Sequence, residues 1–167
     1  ARSGDASALP LLVRAMEDPN LRLTLRASAA AAIGKEFGPR AAAAVPALVR
    51  LLSADHPLLQ IAAAEALSAI RDRGAVGSLA RLLSAPARVV RVTAVGALIN
   101  LRIVRLEGDV GTLFEKAKQE YVVALENWPN VPEFRVNLGN YHLLHSRSDA
   151  AAAEYQVALQ LNPEIPE

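Results

Sequence analysis

The chain has no cysteine, which excludes disulfides, haem attachment through a CxxCH motif and cysteine-based zinc sites within it. Only seven of its 167 residues are aromatic, too few to interleave with basic residues as single-strand stacking platforms do, so nucleic acid is a weak candidate partner. No run of eighteen apolar residues occurs, so no membrane-spanning helix is expected. A basic segment followed by an apolar stretch and a cleavage site is also missing, but the chain starts at Ala1 rather than Met, so this excludes little. There is no glycine-rich phosphate loop, no HExxH and no nucleophile elbow. His142 and His145 stand three apart with no third ligand close in sequence. No enzyme activity, cofactor or metal is therefore expected.

What is abundant is alanine, the residue with the lowest cost in a helix interior and small enough to let helices approach closely. The composition points to an all-α fold. The net charge of +1 conceals a division along the chain. Residues 1–105 carry fourteen Lys plus Arg against seven Asp plus Glu, a net +7, while residues 106–167 carry four against ten, a net −6. Such a split favours different partners for the two ends, or stacking of one molecule's end on another's.

Internal repeats organise the first part. Ala44–Ala54, with Val45, Leu48, Arg50, Leu51 and Leu52, returns as Ala75–Ala85, with Val76, Leu79, Arg81, Leu82 and Leu83, at an offset of 31. Downstream, Leu59-Gln60 leads to Ala66-Leu67 as Val90-Arg91 leads to Ala97-Leu98, again 31 apart. A looser copy runs from Leu9 through Leu25-Arg26 to Ile33-Gly34. About three helix pairs follow, each with a Leu-rich first helix and a second helix bearing small residues at i, i+3 and i+4. Asp18-Pro19, His56-Pro57 and Pro86 separate first helices from second, while Gly38-Pro39 and Gly74 separate successive pairs. Pro46 must kink its helix or mark the true start. Asp18-Pro19, Leu25-Arg26 and Ala31-Ala32-Ile33-Gly34 resemble the short bacterial form of the HEAT repeat, over roughly residues 6–103. Gln60 stands where that family usually has Arg.

A second period follows. Ala117, Tyr121, Ala124, Leu125 and Pro129 return 34 residues later as Ala151, Tyr155, Ala158, Leu159 and Pro163, and Pro132-Glu133 returns as Pro166-Glu167. With Leu138-Gly139 in its first helix, the segment from Phe134 to Pro163 resembles a tetratricopeptide (TPR) repeat. Together the two resemblances imply a right-handed α-α superhelix, a solenoid of antiparallel helix pairs. Its parts are 1–106, HEAT-like, and 107–167, one half TPR-like unit plus one full unit. Counting back 34 from Gly139 reaches Arg105, where no small residue is offered, so the junction is expected to be one helix over 86–106 that serves both parts. Val90, Ala94, Ala97, Leu101 and Val104 form one apolar stripe on it, and Val92, Val95, Ile99, Ile103 and Leu106 a second, as burial on two sides requires. Neither terminus carries a polar capping repeat, so the reading expects a longer natural protein or ends that self-associate.

On that helix Arg88, Arg91, Arg102 and Arg105 would share an arc of roughly 100° and span about 25 Å. In HEAT solenoids the second helix of each pair lines the concave face, so the resemblance implies a basic groove for an acidic protein segment. The other reading is a solvated face, with Arg91 as the family's structural arginine. Asn137 and Asn140 stand where similar TPR repeats hydrogen-bond the backbone of an extended peptide, a role that an amide able to donate and accept can fill. The expected function is a non-catalytic scaffold for a protein or peptide. The alternatives are an accessory C-terminal region of a larger enzyme or of an electron carrier such as a bacterial multihaem cytochrome, and, more weakly, nucleic-acid binding through the basic groove. The compartment is left open.

Overall fold

Prolines fix several helix starts in the computed structural model, which describes residues 7–162. Pro57 and Pro132 open their helices at the first position, and Pro46 stands at the second position of its own, where the missing N–H has no intrahelical partner to lose. Pro46 thus marks a true start, reached through a 3-10 turn at Gly38–Ala44. His56 caps the helix that begins at Pro57, its ring nitrogen accepting the Leu58 N–H at 3.1 Å.

Among the described residues every regular element is helical: α1 Ala8–Glu17, α2 Leu23–Ala32, α3 Val45–Leu51, α4 Pro57–Ile70, α5 Val76–Arg81, α6 Arg88–Asn100, α7 Gly108–Glu126, α8 Pro132–Leu144 and α9 Ser148–Leu161. The fold is an all-α solenoid of helix pairs. α1/α2, α3/α4 and α5/α6 form the first three pairs, and their second members pack in a row, α2 on α4 and α4 on α6. Alanines make this row close: Ala30, Ala63, Ala64 and Ala94 are fully buried. At Gly34 an added Cβ would come within 2.7 Å of the Ala66 Cα, so only glycine permits this crossing. α6 then packs against α7 and α8, and α8 against α9.

The single helix expected over 86–106 is not formed. α6 stops at Asn100 and an extended segment leads to α7. Arg102 adopts φ +60°, its N–H bonds to the Ile99 carbonyl at 2.8 Å, and the Ile103 N–H bonds to the Leu98 carbonyl at 3.0 Å. These two bonds close a left-handed C-terminal turn, normally a glycine's task, so the sequence gives no visible stop there. Burial on two sides survives the shortening. Val90, Ala94, Ala97 and Leu101 are buried on one stripe and Val95, Ile99 and Ile103 on the other, while Val104 is exposed.

α6 also supplies the small residue that a count of 34 fails to find. Gly96 faces Tyr121 of α7, where a Cβ would lie 3.2 Å from the ring, much as Gly139 of α8 faces Tyr155 of α9, where a Cβ would overlap the ring. Pro163, Pro166 and Glu167, the later members of three 34-residue matches, lie outside the described residues.

Candidate functional site

The four arginines expected on one helical face divide into two groups. Arg88 and Arg91 lie in the first turn of α6 and engage α7; Arg102 and Arg105 lie beyond its end. The Arg88 guanidinium donates to the Glu120 backbone carbonyl at 3.2 Å. Arg91 forms a two-bond pair with the Glu120 carboxylate, 2.9 Å on each arm, and donates through its remaining nitrogen to the Ala85 and Pro86 carbonyls at 2.8 and 2.9 Å. Hydrogen bonding to Arg91, with the charges of Arg91, Arg88 and Lys116 adding to it against a smaller effect of burial, holds the Glu120 carboxyl below the usual range.

Arg91 is thus a structural residue, and it has counterparts. Arg26 donates to the Met16 carbonyl at 3.0 Å and Gln60 to the Ala54 carbonyl at 3.0 Å, so each pair has one long polar side chain tying its second helix to the end of its first. Gln60 departs from the expected arginine yet makes the same tie. Arg91 alone among the three adds a carboxylate from the following helix. Arg105 pairs only with Glu107, at 3.2 Å, with both side chains largely in solvent. A pair so exposed contributes about 0–1 kcal/mol.

Arg102 belongs elsewhere. With Arg71 and Arg73 it lines an open cleft of about 780 Å³ bounded by the C-terminal ends of α4 and α6 and by α8. None of these three guanidiniums has a hydrogen-bond or ion-pair partner among the described residues. Glu65 is the one carboxylate on the wall, and burial pushes its pKa up. Arg102 also acts on Tyr155, whose hydroxyl is raised by burial and partly brought back by that nearby positive charge.

Two amides complete the cleft wall. The Tyr155 hydroxyl donates to Asn140 Oδ1 at 2.8 Å, leaving the Asn140 Nδ2 to donate. Asn100 Nδ2 donates to the Ser68 hydroxyl at 3.1 Å, leaving the Asn100 Oδ1 to accept. The wall therefore offers one donor and one acceptor, the complement of a peptide unit. Asn137, half-buried on the same helix as Asn140, does not line this cleft. Arg71, Arg73 and Asn100 complete the site from positions forty to sixty-nine residues distant from Asn140, and the available signal was the 31-residue offset that makes Arg71 the counterpart of Arg102.

The histidines are occupied by packing. His145 Nδ1 lies 2.8 Å from the Tyr141 carbonyl and Nε2 3.5 Å from the Lys118 ammonium. That ammonium is buried, paired with Glu115 at 2.8 Å and set over the Phe114 ring. His142 stands edge-on to Tyr141 with its Nδ1 enclosed. No group of three metal-ligating side chains occurs among the described residues, and none of the helices there is long and apolar enough to cross a membrane.

A comparison with curated proteins and with solved structures gives no match. The family of HEAT repeats matches residues 22–99, the stretch from α2 to the last turn of α6. HEAT repeats commonly serve as protein-interaction scaffolds. The match supports a HEAT-repeat protein over residues 22–99, a little under half of the chain.

Proposed function

We propose that this protein is a non-catalytic scaffold whose junction cleft holds an acidic segment of a partner protein. The observation that carries the proposal is the set of three partnerless guanidiniums, Arg71, Arg73 and Arg102, beside the free donor of Asn140 and the free acceptor of Asn100. Cations left without protein partners along an open concavity raise the local concentration of anionic segments and speed their capture. The amides suit a main chain of any sequence, so charge would select the segment and the amides would hold it.

In this reading α7–α9 are TPR-like, with α6 acting as the missing first helix. The paired contacts of Gly96 with Tyr121 and of Gly139 with Tyr155 support it. Arg88 and Arg91, committed to Glu120, hold the two parts together and leave the cleft to bind. Asn137 would extend the peptide path along α8 beyond the cleft.

The test is titration of the whole chain with a fluorescent glutamate-rich decapeptide. The expected result is saturable binding, weakened about tenfold or more by Arg71→Glu with Arg102→Glu and by raising salt from about 0.05 to 0.3 M. Binding that is absent, or indifferent to both changes, contradicts the proposal.

A further inference from the structure

The cleft arginines occupy backbone positions that the fold would fill more easily with glycine. Arg71 has φ +63° and ψ +28°, and its N–H bonds to the Leu67 and Ser68 carbonyls; Arg102 has φ +60° in the equivalent turn, 31 residues on. Each closes the second helix of its pair. After the second helix of the first pair the positive-φ residue is a glycine, Gly38 at φ +50° and ψ −130°, a different turn from that of Arg71. A bulky side chain in the left-handed region is uncommon and strained, and strain of this kind persists where the side chain has a task. No contact within the fold supplies that task, because neither guanidinium has a partner among the described residues.

We infer that Arg71 and Arg102 are a repeat-spaced pair of anchors for two carboxylates on one extended acidic segment, kept in strained turns because the turn aims them into the cleft. The inference rests on the scaffold reading above and specifies how its segment is recognised. Neighbouring helices pack about 8–10 Å apart, so equivalent residues of successive pairs are separated by about that distance. A segment extended as a polyproline II helix advances about 3.1 Å per residue with about three residues per turn, so acidic side chains three residues apart share a face, span about 9 Å and match the two anchors. The fork of a guanidinium fits a carboxylate with two parallel hydrogen bonds. Phosphates of a single-stranded nucleic acid would meet the same charges, but no aromatic side chain lines the cleft to stack a base, and this favours the peptide.

The experiment uses the whole chain with Arg71→Gly, Arg102→Gly and both together. Ser146→Gly is the control, since Ser146 also has φ +58° but lies at the end of α8, away from the cleft lining. Every glycine variant should melt about 2–4 °C higher, as relief of a strained turn in a chain of this size implies. The cleft variants should bind a labelled peptide with two glutamates three residues apart at least tenfold more weakly, and Ser146→Gly should bind it as the parent does. Affinity of the parent should fall when the glutamates are adjacent or six residues apart. Unchanged binding by Arg71→Gly with Arg102→Gly, while Arg73→Glu still weakens it, overturns the anchor pair and leaves the scaffold reading standing. Failure of the parent to bind any acidic peptide overturns both, and tighter binding to an oligothymidylate than to the peptides overturns the choice of partner.

Discussion

The stacked row α2–α4–α6 and the terminal hairpin α8–α9 are built at different densities. α4 buries eight residues, most of them alanine or leucine, whereas α8 buries only Leu138 and Gly139, and α9 only Ala151 and Ala158. Leu159 and Leu161 on α9 remain largely exposed. Among the described residues the row is stabilised by neighbours on two sides, and the hairpin has a neighbour on one. Small residues alone do not make a core: Ala152 and Ala153 of α9 are exposed, with no helix over them among the described residues. The dense region therefore sets the position of the sparse one, through α6 and α7, and the cleft lies where they meet.

The largest disturbance of this relation should come from Leu98, fully buried on α6. Leu98→Ala is expected to cost about 3 kcal/mol, with a fall in melting temperature of about 6–12 °C. Because α6 packs against both α4 and α7, hydrogen exchange should quicken on both sides of the junction. Faster exchange confined to α2 and α4 would show that α7–α9 do not depend on α6.

A smaller effect distinguishes the three structural side chains. Arg91→Ala removes a tie within its own pair and the two-bond contact with Glu120, and is expected to cost about 2 kcal/mol; Gln60→Ala removes one hydrogen bond and should cost about 1 kcal/mol. Equal losses in urea unfolding would mean that Glu120 adds nothing across the junction. The same contact predicts a pH dependence. The folded pKa of Glu120 lies below its unfolded value, so its contribution is present above the ordinary carboxylate range and is lost as pH falls through the lowered value. Glu65 is shifted upward, so its contribution has the opposite sign, present in acid and lost as pH rises through the raised value. Glu120→Gln should flatten the acid side of the stability profile, and an unchanged profile would remove the contact from the account.

The two repeat periods made the helix pairs legible, because a fixed offset in leucines, alanines and prolines records how often the chain must turn back on itself. The two-sided burial of α6 was legible from its stripes for the same reason. The end of α6 was not, since Arg102 takes a left-handed conformation that sequence reasoning assigns to glycine. Extending the helix through Arg102 and Arg105 placed four arginines on one face, whereas the turn at Arg102 sends them to different neighbours. Gly96 escaped notice because it meets Tyr121 outside the 34-residue register, the contact being set by the crossing of α6 and α7 rather than by repetition. Asn140 was visible as a candidate, but the state of its amide depends on Tyr155, fifteen residues away on the next helix.

The central claim is that the two regions form one cooperative body through α6. Separate expression of residues 1–84 and 107–167, each melted by circular dichroism, tests it most directly. The account predicts that neither fragment shows a cooperative transition at the temperature of the whole chain, because each lacks the helix that covers its buried face. Two independent, sharp transitions matching that of the whole chain would contradict it.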